Sequence, residues 1–295
     1  MKLNTLLQFA YKFFPGIATI VIFCSTLTAQ TQVSGLDHIP VVVTDLEKAQ
    51  ADFRAMGFAI KPGRFHADGI RNAHIKFPDG TEIELITATS ATDDLTSEYL
   101  DKMKKGEGPV YFGLYAPDLE AIEKTFRKFH IAAQSENDML TFASGSPLHP
   151  LFIGGRNKTL TDKPEHFAHP NTATRLSGLW VRDTPELRAL LEDLDVPLTP
   201  MTGCRMLQVN QGIQAALPEG NLYLVASDDA NVIAATVEVR ELSAVETSLK
   251  QSGIPVRRDP TCGIDAVWIP PANGHGIWIE FVSARGNEGP KGSSR

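Results

Sequence analysis

The chain has 295 residues, a formal net charge of −7, 42% hydrophobic residues and 21% charged ones. That balance belongs to an ordinary water-soluble protein with room for two domains of common size. Its acidic excess gives no electrostatic reason to expect nucleic acid or an anionic membrane as a partner.

The first residues read as a leader. Lys2 and Lys12 precede the apolar run GIATIVIFCSTLTA, shorter than the roughly 20 residues of a comfortable membrane span. Ala29 puts a small residue before Gln30, so residues 1–29 are expected to be a secretory signal peptide. The alternative is an uncleaved anchor. The expected location is secreted or periplasmic, with no membrane segment beyond the leader.

Residues 36–86 change period several times. LDHIPVVV alternates and is β-branched, so it reads as a strand. Asp45 stands at a helix N-cap, and Leu46, Ala49, Phe53 and Met56 recur at helical spacing until Gly57. FAIKP, NAHIKF and TEIELI follow as strands, the last after a Pro78-Asp79-Gly80 turn. The unit is βαβββ. Side chains alternate faces along a strand. Ile83 and Leu85 belong under the helix with Ala73, Ile75 and Phe77, which leaves Asn72, His74, Lys76, Glu82 and Glu84 on the other face. The first strand's pattern does not choose its face. If His38 joins the polar set, one sheet face carries six chemistry-bearing side chains; a solvated sheet face would be polar too.

The pattern then recurs. Residues 89–107 are a polar connector with a short amphipathic piece, and GPVYFGLYAPDLEAIEKTFRKFHI opens a second module over 108–155. Residues 156–174 have the composition of a linker. LSGLWVRDTPELRALLEDLDVPL opens a third module, and VIAATVEVRELSAVETSLKQSGIPV a fourth that closes in HGIWIEF. Spacings of roughly sixty to seventy residues make this an internal repeat. The tail at 287–295 is expected to be disordered.

DHI on the first strand, GF after the helix, GRFHADGIRNAHIKF and the closing DGTEIELI resemble the glyoxalase-like branch of the vicinal oxygen chelate superfamily. The resemblance implies an α+β chain of four βαβββ modules paired into two domains, near 34–160 and 170–286. Each pair would curl around a small-molecule site that often holds a divalent metal. Paired modules of that superfamily tend to give one ligand from the first strand and one from the last. Here those places hold His38 and Glu84 in the first module, Tyr111 in the second and Glu280 in the fourth. Pairing of modules one and two offers His38, Glu84 and Tyr111, with His74 in reserve. Pairing of one with four offers His38, Glu84 and Glu280, a mixed set for Zn, Fe, Mn or Ni. Neither completes a four-ligand pattern.

The same resemblance assigns proton transfer to His74 or Glu82 and substrate contact to His66 and Asn72, with Arg64 and Lys76 placed to hold a substrate carboxylate. Trp180, Trp268 and Trp278 share a sheet face with Glu280 and would line a cleft for an apolar or aromatic ligand, or simply fill core. The function implied is an exported, divalent-metal-dependent lyase, isomerase or dioxygenase acting on a small oxygenated substrate. The alternative is a metal-free protein that binds or sequesters a small molecule in the same cavity. Cys204 and Cys262 lie 21 residues after Asp183 and Glu241, so in an oxidising compartment they are either bonded to each other or two separate buried thiols.

Overall fold

The computed structural model describes residues 31–156, 158–258 and 265–284. The leader, Cys262 and the tail lie outside the described residues. The first stretch runs β1 (Gly35–Leu36), β2 (His38–Val42), α1 (Leu46–Ala55), β3 (Lys61–Phe65), β4 (Ile70–Lys76) and β5 (Glu82–Ala88). A connecting helix α2 (Asp94–Lys105) leads to β6 (Gly108–Pro109), β7 (Phe112–Tyr115), α3 (Leu119–Phe129), β8 (Gln134–Glu136), β9 (Met139–Thr141) and β10 (Leu151–Gly154). A 3-10 turn at Pro164–Phe167 precedes β11 (Ala173–Arg182), α4 (Pro185–Asp193), β12 (Leu198–Cys204), β13 (Val209–Leu217) and β14 (Gly220–Val225). The last stretch is β15 (Val232–Val239), α5 (Leu242–Gln251), β16 (Arg257–Arg258), β17 (Ala266–Ile269) and β18 (Trp278–Ser283).

The helices begin where short polar side chains supply the missing acceptor. Asp45, Asp118 and Thr184 each accept from a backbone N–H three residues on. Each helix buries one apolar stripe, such as Leu46, Ala49 and Phe53 on α1 or Leu187, Leu190 and Leu191 on α4. Strands β3-β4-β5-β2, β8-β9-β10-β7, β12-β13-β14-β11 and β16-β17-β18-β15 are adjacent in those orders. In every set the strand before the helix lies parallel to the last strand. This is a mixed α+β architecture of curled sheets.

First strands meet antiparallel. β11 and β15 pair from Ala173↔Val239 to Val181↔Val232 through bulges. In the N-terminal half Gly35↔Tyr115 and Leu36↔Leu114 continue in the same register as Val41↔Pro109 and Val42↔Gly108. The ladder lapses between them, where Pro40 has no N–H to give. The first module therefore pairs with the second and the third with the fourth. A pairing of first with fourth, which would have joined Glu280 to His38, does not occur.

The two halves share a core. Phe58 stacks on Phe281 at 5.6 Å, and Asn171 donates to the Met56 carbonyl at 3.1 Å. Arg156 donates to the carbonyls of Leu36 and Asp79, lies over the Tyr115 ring and pairs with Glu219. His275, in the loop before β18, joins Asp52 of α1 at 3.0 Å and Glu107 at 2.7 Å. The stretch read as a linker is thus tied down at both ends. Cys204 is fully buried and disulfide-bonded. Among the described residues no helix is long and apolar enough to cross a membrane.

Gly57 ends α1 at φ +86°, and a Cβ there would lie 2.7 Å from Ser248 Oγ and 2.9 Å from Asn171 Cβ. Gly145 has the same φ and open space around it. Gly145→Ala should cost about 1 kcal/mol of backbone strain. Gly57→Ala should cost about 2–4 kcal/mol, because the halves must also part. Urea midpoints at unchanged slope measure both. Equal losses would mean that the Gly57 contact between the halves is slack.

Candidate functional site

A cavity of about 560 Å³ opens over the concave face of the first sheet. Three elements wall it. β2 and β5 supply His38, Pro40 and Glu84; α2 supplies Leu95, Glu98 and Tyr99; the second module supplies Tyr111, His149 and Phe152. Helix α2 is held by a reciprocal capping box between Asp93 and Thr96. Its Leu95, Glu98 and Tyr99 fall at i, i+3 and i+4, so one face meets the sheet. Tyr99 is buried against Val42, Ile70, Ile86 and Ala88.

On the sheet wall His38 is only partly exposed. Its Nδ1 bonds Asp37 Oδ2 at 2.8 Å, its Nε2 lies 3.8 Å from Glu84 Oε2, and the Phe152 ring stands 4.8 Å away. Gly113 makes room for that ring, since a Cβ there would meet it at 2.2 Å. Burial opposes charge on the imidazole. The Asp37 hydrogen bond and the charges of Asp37, Glu84 and Glu82 outweigh it and raise His38 to about 9. Asn72 donates to Glu84 Oε1 at 2.7 Å and fixes its orientation.

Behind this wall runs a buried ion ladder. Glu82 accepts from His74 and, at 2.8 Å, from Lys76. Lys76 approaches Asp162, which also binds Lys61. Burial works against the Glu82 charge, but the His74 hydrogen bond and the charges of His74, His38 and Lys76 hold it down at about 2.

On the facing wall Tyr111 donates its hydroxyl hydrogen to Glu98, and His149 Nε2 lies 3.0 Å from both Glu98 oxygens. His149 Nδ1 bonds the Phe142 carbonyl at 2.9 Å, which orients the ring. Burial opposes its charge, yet the Phe142 carbonyl and Glu98 raise its pKa. Burial and the Glu98 carboxylate push the Tyr111 phenol far up. One cavity thus holds two histidine–carboxylate units from separate elements.

A family model described as a glyoxalase-like domain matches residues 36–194, more than half of the chain. The chain belongs to the glyoxalase-like branch of the vicinal oxygen chelate superfamily. Among curated proteins nothing matches. Solved structures do. A catechol 2,3-dioxygenase superposes with TM-score 0.61 at 13% identity, covering 86% of this glyoxalase-like chain and 88% of its own. A 4-hydroxymandelate synthase variant from Streptomyces coelicolor gives 0.58 at 11%, covering 87% and 94%. A xylose isomerase-like TIM barrel/4-hydroxyphenylpyruvate dioxygenase fusion protein gives 0.60 at 10%, covering 86% of this chain; this chain spans half the length of that one. At such identities the likeness is one of fold.

Several residues singled out in the glyoxalase-like sequence sit elsewhere than expected. Glu280 is not with His38 and Glu84. It lies in the C-terminal sheet, bonded to Thr236 and Trp180, and burial raises it to about 7 against those bonds. His74, Glu82 and Lys76 are committed to one another beneath the cavity. Arg64 and His66 contact each other on the exposed β3 edge, and Asn72 acts through Glu84. Trp268 is wholly buried in a second apolar cluster, Trp278 packs on its margin, and Trp180 lines a separate cavity. Tyr111, His38 and Glu84 do meet in one place.

Among the described residues no three His, Cys, Asp or Glu side chains converge as an ion site, whereas a protein-held catalytic ion typically has three. His38 Nε2 and Glu84 Oε2, 3.8 Å apart, supply two donors, with Asn72 bonded to the other Glu84 oxygen. The residues present do not by themselves make a metal site.

The site residues that the sequence reading missed are Asp37, Glu98, Tyr99, His149 and Phe152. The i, i+3, i+4 pattern of α2 was the available signal for two of them. For His149, brought in by a turn before β10, there was none.

The raised His38 pKa contributes stability that is complete below the free imidazole's 6.5 and fades as pH rises through about 9. In Asp37→Asn the His38 ring proton resonance, followed by NMR, should titrate at least one pH unit lower, with the alkaline loss of stability moved down alongside. A His38 that titrates near 6.5 in the unaltered chain would contradict this geometry.

Proposed function

We propose that the glyoxalase-like chain binds a small neutral carbonyl compound in the N-terminal cavity and moves a proton on it, using side chains alone. One observation carries this reading: His38 with Asp37 faces Glu98 with Tyr111 and His149 across a single cavity. His38 presents Nε2–H to the substrate oxygen, with Asp37 orienting the ring through Nδ1. Glu98 takes the proton from the adjacent carbon. The carbon–hydrogen pair then becomes the second bond of an enol, and His38 delivers its proton to the oxygen. With an α-hydroxy carbonyl compound, Glu98 returns its proton to the former carbonyl carbon while the other hydroxyl gives its proton back to His38, which completes an isomerisation and restores both groups. Buried donors aimed at the developing oxyanion are worth about 3 kcal/mol each in such sites.

The cavity wall selects by charge as well. Glu84, Asp93, Asp94, Glu98 and Glu136 line it, with no Lys or Arg among the described residues. An anionic substrate would be repelled, so the carboxylate-binding role expected of Arg64 and Lys76 has no counterpart here.

Hydroxyacetone in D2O, followed by proton NMR, tests the chemistry. The chain should speed loss of the α-proton signals over buffer, with chelator present and without stoichiometric metal. His38→Gln and Glu98→Gln should each slow it by about 100-fold or more, and pyruvate should not exchange. Exchange that is absent, or indifferent to both substitutions, removes the proposal. A second reading draws on the neighbours named as dioxygenases and on the proximity of His38 to Glu84: a divalent-metal-dependent reaction of that kind. Stoichiometric zinc, iron, manganese or nickel in the purified chain would favour it over the first.

We further place this activity outside the cytoplasm, on the leader-like sequence of residues 1–29. Mature protein recovered from the periplasm or medium should begin near Gln30. Full-length protein retained in the cytoplasm would overturn that placement.

A further inference from the structure

The C-terminal sheet encloses its own cavity, of about 260 Å³, and the proton-transfer reading makes no use of it. Its walls are polar where the N-terminal cavity is largely apolar. Glu280 on β18 is 3% exposed. Its Oε2 accepts from Thr236 Oγ1 at 2.5 Å and from Trp180 Nε1 at 3.4 Å. No described residue donates to Oε1, and that oxygen is not among the sealed atoms lacking a partner, so it faces the open space.

The charge count leaves this carboxylate unanswered. Among the described residues Arg175 is the one cation on the wall, and its Nε and Nη2 both donate to Glu238 Oε2, at 3.1 and 2.8 Å. No described Lys or His lines the cavity. Beside Glu280 lie two aromatic rings, Trp180 and Tyr223, tilted by 31° with centroids 4.5 Å apart. A buried carboxylate without a counter-ion, next to aromatic surface, matches one ligand chemistry best. An anion would oppose ionisation of Glu280 and a neutral molecule would leave it free to take up a proton, whereas a bound cation holds it as the carboxylate. A hard metal cation asks for several oxygen ligands, whereas an alkylammonium ion asks for one carboxylate and aromatic faces for its polarised methyl or methylene groups.

We propose that the C-terminal cavity is a second ligand site, which binds a small organic ammonium ion with its charge at Glu280 Oε1 and its alkyl groups against Trp180 and Tyr223. The site is independent of the N-terminal chemistry and stands or falls separately from it.

The probes are choline and its uncharged isostere 3,3-dimethylbutan-1-ol, titrated calorimetrically into the full chain. Choline should bind at least about tenfold more tightly than the isostere, a difference of about 1.4 kcal/mol. Glu280→Gln should weaken choline by about tenfold or more, and Tyr223→Leu should weaken it in a chain that keeps the carboxylate. His38→Gln should leave choline binding unchanged. Equal affinity for the two probes overturns the proposal in the unaltered chain, whatever the variants do. So does an absence of choline binding up to about 10 mM, or choline affinity that ignores both Glu280→Gln and Tyr223→Leu.

Discussion

The site of this protein depends on an interrupted ladder. Two first strands run antiparallel in one register from Gly35↔Tyr115 to Val42↔Gly108, and the pairing fails over the middle residues. Where backbone groups stop pairing, side chains and space take over. Asp37 still donates its N–H to the Gly113 carbonyl at 2.9 Å; His38 sits just beyond, and the ring of Phe152 fills the slot that Gly113 leaves. The corresponding seam between β11 and β15 is paired along most of its length, and the smaller cavity beside it is lined by Trp180, Tyr223, Thr236 and Glu280.

The two halves therefore spend one architecture differently. In the first, charge is neutralised in layers: Lys61, Asp162, Lys76, Glu82 and His74 form a dry ladder, and His38 stands at its wet end. Each member is hydrogen-bonded, which is what makes burial of so many charges tolerable. Burial works against the His38 charge, and the Asp37 hydrogen bond, followed by the charges of Asp37, Glu84 and the ladder's Glu82, outweighs it. In the second half Glu280 is buried without such company, and burial, which Glu82's partners overcome, prevails over its hydrogen bonds to Thr236 and Trp180.

Much of the fold was legible in the sequence because its signals are local. Asp45, Asp118 and Thr184 announce helix starts, and Gly57 a stop that only a left-handed residue could make. Alternation on NAHIKF and TEIELI put Asn72, His74, Lys76, Glu82 and Glu84 on one face, where they are found. The site was less legible, because it is made between elements. Parity brings six polar residues to one face but does not say which of them α2, the 156–174 segment or the second module will cover. His74 and Lys76 are beneath cover, while His38 is not. Glu98 and Tyr99 come from a stretch whose composition reads as connector, and His149 from a turn with no period at all. Glu280 carries the right residue type at the right repeat position, and only the pairing of the strands decides which cavity it serves.

The shared core has one more consequence. β11 lies between β14 and β15, buried on both flanks, while the family match stops at residue 194, just past α4. The unit of inheritance and the unit of folding do not coincide. A chain ended at that boundary would keep β11 with both edges bare, an apolar ribbon ready to pair with its own copies. It would also expose Phe58 where Phe281 now stacks. Solubility of the first half is in this sense a property of the second, whose strands act as its permanent edge guard.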